Sequence, residues 1–385
     1  MRKYVKGLQF RTRMNLETLH LLFFKNYEEA NLQLSPRINC FVGDNGSGKT
    51  NLLDAVHYLC LTKSAFSASD TQTIKQGEEF FVVRGRFHTD SSTSPTSEAI
   101  QCSLRAGQKK VISHDKQPYD RISDHIGHYP VVLISPYDTD LIRQGSEERR
   151  KYFDSLISQL DHSYLELLIS YSHLLRQRNS LLKLAADRQA GYDRDYLLVL
   201  DEQLAPLGEQ VAEHRQRFLE EFIPMFQRHY QQLSDERETV SLTYKTQVPP
   251  SDFLKVLRLN ERKDLTMQRT HAGPHRDDYV FLMNELPVKS YGSQGQQKSY
   301  AIALKLAQFE ILAARKQQKP LLLLDDIFDR LDEKRITQLM QLVADHTFGQ
   351  VFLTDTHLDR TDRILAGLSE QVSRFWVEAG NVTPL

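Results

Sequence analysis

Long apolar runs are missing from this sequence. None approaches the roughly 18 residues that a membrane-crossing helix requires, and Leu321 to Leu324 is only a strand's worth, which argues against a transmembrane segment. Cysteine is almost as scarce. Cys40, Cys60 and Cys102 are odd in number and lack metal-ligand spacing, which fits a reducing cytoplasm better than secretion and leaves the three as small core residues. Neither sign of charge dominates: 49 basic against 50 acidic residues give a formal net charge of −1. Nothing therefore draws the whole chain toward nucleic acid or anionic lipid, and any DNA contact must come from a local patch. The first thirteen residues carry Arg2, Lys3, Lys6, Arg11 and Arg13 without an acid, but also without the apolar core of a secretory signal. They read as a disordered basic arm or an over-early start, because a strand-like pattern opens at Met14. What remains, 40% hydrophobic and 26% charged over 385 residues, is ordinary globular composition with room for two domains.

The chain is organised around Gly43-Asp44-Asn45-Gly46-Ser47-Gly48-Lys49-Thr50. Ile38 to Val42 before it reads as a short buried strand and Asn51 to Val56 after it as a helix, so the glycines fall where a strand turns into a helix N-terminus. Gly43, Gly46 and Gly48 can take positive φ and bear no Cβ, so successive backbone N–H groups can converge on one anion, aided by the helix dipole. Lys49 supplies a mobile charge for the β- and γ-phosphates, and the Thr50 hydroxyl can ligate Mg²⁺. This is the pattern of a phosphate-binding P-loop.

Around it, Leu16 to Phe24 is expected as an edge strand running into Lys25-Asn26-Tyr27, with a second strand over 31–34. Phe80 to Phe87 alternates as a strand, and 99–104 with 110–114 reads as a hairpin turning at Ala106-Gly107. Val131 to Ile134 is a buried strand entering Ser135-Pro136-Tyr137-Asp138. Ser146 is then a candidate N-cap, with Glu147 and Glu148 in the first helical turn. Arg149, Arg150 and Lys151 form a cationic cluster that could meet DNA phosphates or sit on a solvated face paired with those glutamates. Apolar residues from Phe153 to Leu175 keep a spacing of three or four, which predicts one stripe on a single helix. A second helical run carries Leu204, Val211, Phe222 and Phe226, with Pro206 and Pro224 as expected kinks or breaks. A strand over 239–246 and a short helix from Pro249 complete an insertion placed at 146–265.

Behind the insertion, His271 to Asp278 combines a rigid turn with clustered charge. Ser293-Gln294-Gly295-Gln296-Gln297 precedes a helix over 299–314. Ser293 and Gly295 there stand where the signature loop of an ABC-type ATPase presents a hydroxyl and backbone N–H groups. A second anion-binding helix end is best explained as reaching a γ-phosphate held by another copy of the chain. Leu321 to Leu324 followed by Asp325-Asp326 reads as a Walker-B strand. Asp325 would hold Mg²⁺, largely through water, and Asp326 would orient or deprotonate the attacking water, with Lys49 the other catalytic candidate. Phe328 to Asp332 occupies the position of a dimer-contacting D-loop, and His357 ends a strand at the switch position.

These segments, in this order over 14–357, resemble the RecF family. The combination of Gly273-Pro274-His275-Arg276-Asp277-Asp278 with Ser293-Gln294-Gly295-Gln296-Gln297 separates that family from ABC transporters and SMC-type ATPases. Lys25 and Lys298 stand where the family usually has arginine, and Ser67 where an arginine follows the phenylalanine. The resemblance implies an α/β fold: an ABC-type ATPase head, a mixed sheet around the P-loop helix, with an inserted, mainly helical arm. The expected division is 1–13 as an extension, 14–145 and 266–385 as the two halves of the head, and 146–265 as the arm. Nucleotide contacts would come from Gly43, Asp44, Asn45, Gly46, Ser47, Gly48, Lys49, Thr50 and Asn51, with Lys25, Ser293, Gly295 and Gln296. Thr50 and Asp325 would hold the metal. The family further implies a homodimer closed around ATP and Mg²⁺ that binds duplex and gapped DNA, works with RecR and RecO to load RecA, and hydrolyses ATP weakly. An SMC-like structural clamp would need far more coiled-coil heptads than about 120 inserted residues allow. A transporter's energy-coupling subunit would need a glutamine in a coupling loop, and Ser135 to Asp138 has none.

Overall fold

The computed structural model describes residues 12–91, 95–185, 193–234, 238–249, 251–328, 336, 348–365 and 372–385. Along the chain, strands β1 (Thr12–Phe24), β2 (Tyr27–Gln33) and β3 (Ile38–Val42) lead into helix α1 (Lys49–Leu61). Strands β4 (Phe80–Ser91), β5 (Thr96–Arg105), β6 (Val111–His114), β7 (Gln117–Pro118) and β8 (Val131–Ile134) follow. Helices α2 (Asp140–Arg143), α3 (Ser146–Leu160), α4 (His162–Ala185) and α5 (Arg194–Ser234) come next, then β9 (Val240–Lys245), α6 (Phe253–Met267), β10 (Asp278–Met283) and β11 (Leu286–Pro287). The chain closes with α7 (Val288–Tyr291), α8 (Gln294–Lys316), β12 (Leu321–Leu324), β13 (Val351–Asp355), α9 (Leu358–Leu365), β14 (Val372–Glu378) and β15 (Asn381–Pro384).

Two compact units divide these elements, the first from the N-terminus to Asp138 together with Ile302 onward, the second from Thr139 to Ala301. The second is wider than the expected 146–265. Its helices pack on β9 and β10 and on the turn before β10, so this antiparallel strand pair and the start of α8 belong with it.

In the first unit, an antiparallel sheet in the order β2-β1-β4-β5-β6-β7 faces a second sheet in the order β15-β14-β3-β13-β12-β8 across α1. Strands β14, β3, β13, β12 and β8 run parallel, and β3, β12 and β13 are buried along their whole length; β12 is wholly apolar, while β3 and β13 also bury Asn39, Thr354 and Asp355. Helix α1 is buried on every side because both sheets cover it: Leu52, Leu53, Val56, Tyr58 and Leu59 are fully buried, and so is Asp54. Strand β1 is interior, between β2 and β4, rather than the expected edge, and it begins at Thr12, so Thr12 and Arg13 are sheet residues rather than part of an extension. Cys40, Cys60 and Cys102 are buried free thiols of this core. Among the described residues no helix is long and apolar enough to cross a membrane.

In the second unit the single helix expected over Phe153 to Leu175 is two. Asp161 ends α3 with extended backbone, and its Oδ1 accepts the N–H groups of Ser163 and Tyr164, capping α4. Helix α5 runs unbroken through Pro206 and Pro224. Each proline forfeits one backbone hydrogen bond, and burial of the flanking Leu204, Ala205, Phe222 and Phe226 offsets that loss. Buried arginines tie the helices together. Arg178 reaches Asp201 on α5 at 2.6 Å and Asp264 on α6 at 2.7 Å, and Arg215 pairs with Asp154 on α3 at 2.8 Å.

Candidate nucleotide site

Strand β3 delivers the chain to Gly43 at the carboxyl end of the parallel sheet, where the Gly43 amide donates to the Asp355 carbonyl of β13. Two glycines are there for different reasons. A Cβ on Gly43 would lie 2.1 Å from the Val377 carbonyl oxygen, so its requirement is close approach; it does not adopt the expected positive φ. Gly48 has φ +117°, and a Cβ on it would sit 2.4 Å from the Asn26 amide nitrogen and 2.8 Å from the Tyr27 hydroxyl.

Those two neighbours buttress the loop. Tyr27 donates its hydroxyl to the Gly48 carbonyl at 2.9 Å, Asn26 donates to the Ser47 carbonyl at 3.0 Å, and Asn51 donates to Asn26 at 2.7 Å. The turn therefore serves the P-loop through Asn26 and Tyr27. Lys25 instead places its ammonium 2.6 Å from the fully buried Asp54 of α1. Among the described residues no hydrogen bond joins its side chain to the loop.

Lys49 is 6% exposed, and its ammonium donates to the carbonyls of Gly43 at 2.6 Å and Asp44 at 2.8 Å. Burial lowers its pKa, while the carboxylates of Asp326, Asp325, Asp355 and Asp44 pull the other way. Next along α1, Thr50 donates its hydroxyl to both oxygens of Asp325, at 2.9 and 3.1 Å. Asp325 is 2% exposed; burial raises its pKa against hydrogen bonds from Thr50 and Thr354. A half-buried hydroxyl and a buried carboxylate in contact form the hard-oxygen donor pair that Mg²⁺ takes when the remaining positions are water and phosphate. The donor set fits the metal.

Asp326 sits in left-handed backbone, φ 46°, and its amide donates to the Thr354 hydroxyl at 2.8 Å, while that hydroxyl donates to Asp325 at 3.0 Å. One threonine on β13 thus orders both Walker-B acids. A cleft of about 220 Å³ opens between Asn45, Gly46, Gly48, Lys49 and Thr50 on one side and Asp326 and Thr354 on the other. Lys49, Thr50 and Asp326 thereby line one space, with Asp325 bonded to Thr50, and Asn45, Gly46 and Gly48 of the loop border it.

Asp355, beside Thr354, accepts the backbone N–H groups of Thr356 and His357 and the guanidinium of Arg360. His357 itself is exposed. Asp138 pairs with Lys305 at 3.0 Å and accepts the Ser135 amide. Of the expected D-loop only Phe328 is described; 329–332 lie outside the described residues.

The signature residues belong to the second unit. Ser293 caps α8 and is exposed; its hydroxyl accepts the Gln296 amide at 3.2 Å while the Gln296 side chain accepts the Ser293 amide at 2.7 Å. Gln296 also donates to Glu238 at 2.8 Å, and Gly295 lies in the first turn. Gln297 is pinned by Arg143 and by the Gly292 carbonyl.

The cationic cluster has other work. Arg149 forms a two-pronged pair with Asp278, and Arg150 donates to the Asp277 carbonyl at 2.6 Å and to the Ser146 hydroxyl. The cap of α3 is Gly145 rather than Ser146, whose hydroxyl is the arginine's acceptor. Lys151 is exposed between Glu147 and Glu148. The charged turn from His271 to Asp278 is correspondingly a structural knot: His275 meets Tyr171 at 2.7 Å, and Arg215 donates to the Pro274 carbonyl at 2.7 Å. Burial drops His275 to about 4, so it is a neutral strut.

Parallel strands ending in a glycine cradle and paired carboxylates, with a serine-capped helix start in an inserted unit, define a P-loop ATPase head of the ABC and SMC class. The model of the RecF/RecN/SMC N-terminal domain matches residues 15–364. The chain belongs to the RecF family: the DNA replication and repair protein RecF of Flavobacterium johnsoniae is 48% identical over 362 residues, 94% of this chain and 99% of that one. The protein of the same name from Cytophaga hutchinsonii is 44% identical, covering 96% of both. A structure of the recombination mediator protein RecF with ATP, in the RecFOR pathway, superposes with a TM-score of 0.86 at 29% identity over 97% of this chain and 98% of that one. An SMC head from Pyrococcus furiosus, TM-score 0.55 at 17% identity over 97% of this chain and 96% of that one, shares the fold.

Proposed function

We propose that this chain is an ATP-driven switch in DNA replication and repair. In this reading the amides of 43–50 and Lys49 hold the phosphates, Thr50 and Asp325 hold Mg²⁺, and Asp326 positions the attacking water. Bound Mg²⁺ supplies charge neutralisation at the phosphates. The observation that carries the reading is the contact of Asp325 with Thr50, which lines the cleft together with Asp326 and Lys49. Ser293, exposed at the start of a 23-residue helix, offers a second set of amides for a γ-phosphate held by another copy. The closed pair would then hold duplex or gapped DNA in the cytoplasm and, with RecR and RecO, assist RecA loading, weak hydrolysis releasing it. The RecF structure with ATP supports the nucleotide, and the names of the relatives support the setting.

Light scattering with ATP and Mg²⁺ tests it. The unmutated chain is expected to double in mass, Lys49→Ala to stay monomeric without binding ATP, and Ser293→Arg to bind ATP yet stay monomeric. A chain that binds ATP and remains monomeric at micromolar concentration would sink the model of completion by a second copy.

A further inference from the structure

The amino ends of the parallel strands, the sheet edge opposite the P-loop, hold a second cavity of about 530 Å³. Its size is within the roughly 300–1,000 Å³ of small-molecule sites. Three cations from three different segments line it: Arg13 on β1, Arg37 immediately before β3 and Lys319 just before β12. One acid, Asp90, also reaches it, bonded to His88 at 2.8 Å. Among the described residues neither the Arg13 nor the Arg37 guanidinium has an ion-pair partner. In a chain whose charges almost cancel, three converging cations against one engaged acid are a local departure.

The walls are built. The fully buried Gln350 accepts the Leu16 amide at 2.7 Å and donates to the carbonyls of Leu16 at 2.8 Å and Ser35 at 2.7 Å. It thereby locks β1 and the segment before β3 to the start of β13. Thr12 bridges Gln318, next to Lys319, and the buried Phe348 packs its ring against Phe309. Bringing like charges together costs free energy, and the cost is visible: burial with Arg13 and Arg37 lowers Lys319 to about 8, and burial with Arg13 lowers Arg37. An anion would relieve it.

We propose that this cavity binds the phosphate of a nucleotide unit, carried by a nucleic-acid strand or by a free nucleotide. Two guanidiniums present planar forks that match phosphate oxygens, and the cavity has room for the attached sugar and base. The strand source rests on the reading of the chain as a DNA-binding protein. The free-nucleotide source does not.

The test uses the full chain with Arg13→Gln, which alters an exposed side chain, and Arg37→Gln. Anisotropy of a labelled 20-base-pair duplex across salt reads the strand source. Each variant is expected to flatten the log–log salt slope by about 0.9 for every phosphate it no longer neutralises, at a Tm no lower than that of the unmutated chain and with unchanged ATP-dependent scattering. Calorimetry with deoxycytidine monophosphate, which lacks the β- and γ-phosphates that a P-loop grips, reads the free-nucleotide source: heat in the unmutated chain, none in the variants. Either loss supports the cavity. Duplex binding that both variants retain, with no variant-sensitive heat, overturns the inference and leaves the DNA reading standing; failure of the unmutated chain to bind duplex sinks that reading instead. Release by both variants of a glutamate-rich peptide that the unmutated chain holds, with both phosphate probes indifferent, also overturns it.

Discussion

At the scale of single residues, the site depends on groups whose importance lies across strands rather than along the sequence. Thr354 donates to Asp325 and accepts from the Asp326 amide, so Thr354→Val preserves shape while removing both bonds. Leaving those groups unsatisfied costs about 1–3 kcal/mol. The expected result is a lower Tm and a weaker Mg²⁺ contribution to ATP affinity, read by thermal unfolding and by calorimetry with and without the metal. Asp325→Asn should separate function from stability. Because burial raises the Asp325 pKa, its stabilising contribution is present below the unfolded carboxyl value and is lost as pH rises through the raised folded value. At pH 8, above the unfolded carboxyl value, keeping this group buried is therefore a cost that asparagine removes, while the Thr50 and Thr354 hydroxyls can still donate to its carbonyl oxygen. Asp325→Asn is expected to unfold at higher temperature than the unmutated chain at pH 8, with the gap closing toward acid pH and the Mg²⁺ response gone. A variant equally stable at both pH values would refute that account.

At the scale of elements, what was legible follows from how local each signal is. The P-loop, the Walker-B strand and the serine-capped helix are chemistry held within eight or so consecutive residues, and the structure brings the first two together. Asn26 and Tyr27 were hidden behind Lys25, because the only sign of their role is the absence of space around Gly48, which no spacing reveals. Arg149 and Asp278, 129 positions apart, both stand in the sequence as charges; that they neutralise each other is not legible from composition. The break at Asp161 was masked by an apolar stripe that continues in phase across it, and the prolines of α5 misled in the opposite direction, since local backbone cost lost to packing. Asp161 makes this measurable. Asp161→Ala removes the side-chain oxygen that caps α4 and is expected to cost about 1 kcal/mol, seen as a lower denaturation midpoint with an unchanged slope. An unchanged midpoint would mean the cap is dispensable and the break is imposed by packing alone.

At the scale of the whole molecule, the first unit is assembled from two separate stretches of the chain and the second from the stretch between them, so the P-loop belongs to the first and Ser293, with only the start of α8, to the second. If the serine helix completes a phosphate site only on another copy, nucleotide should stabilise the chain at two levels that mass action distinguishes. Binding within one copy stabilises by RT ln(1 + [L]/Kd), about 2.7 kcal/mol at a hundredfold excess over Kd, irrespective of protein concentration. Pairing adds a contribution that grows with protein concentration, because the folded pair alone makes it. Thermal unfolding with saturating ATP and Mg²⁺ across a hundredfold range of chain concentration reads both. The unmutated chain is expected to gain Tm from ATP and to gain more as it is concentrated. Ser293→Arg should keep the first gain and lose the second, and Lys49→Ala should show neither. A Ser293→Arg chain whose ATP-dependent gain still climbs with concentration would place the pairing surface somewhere other than the tip of α8.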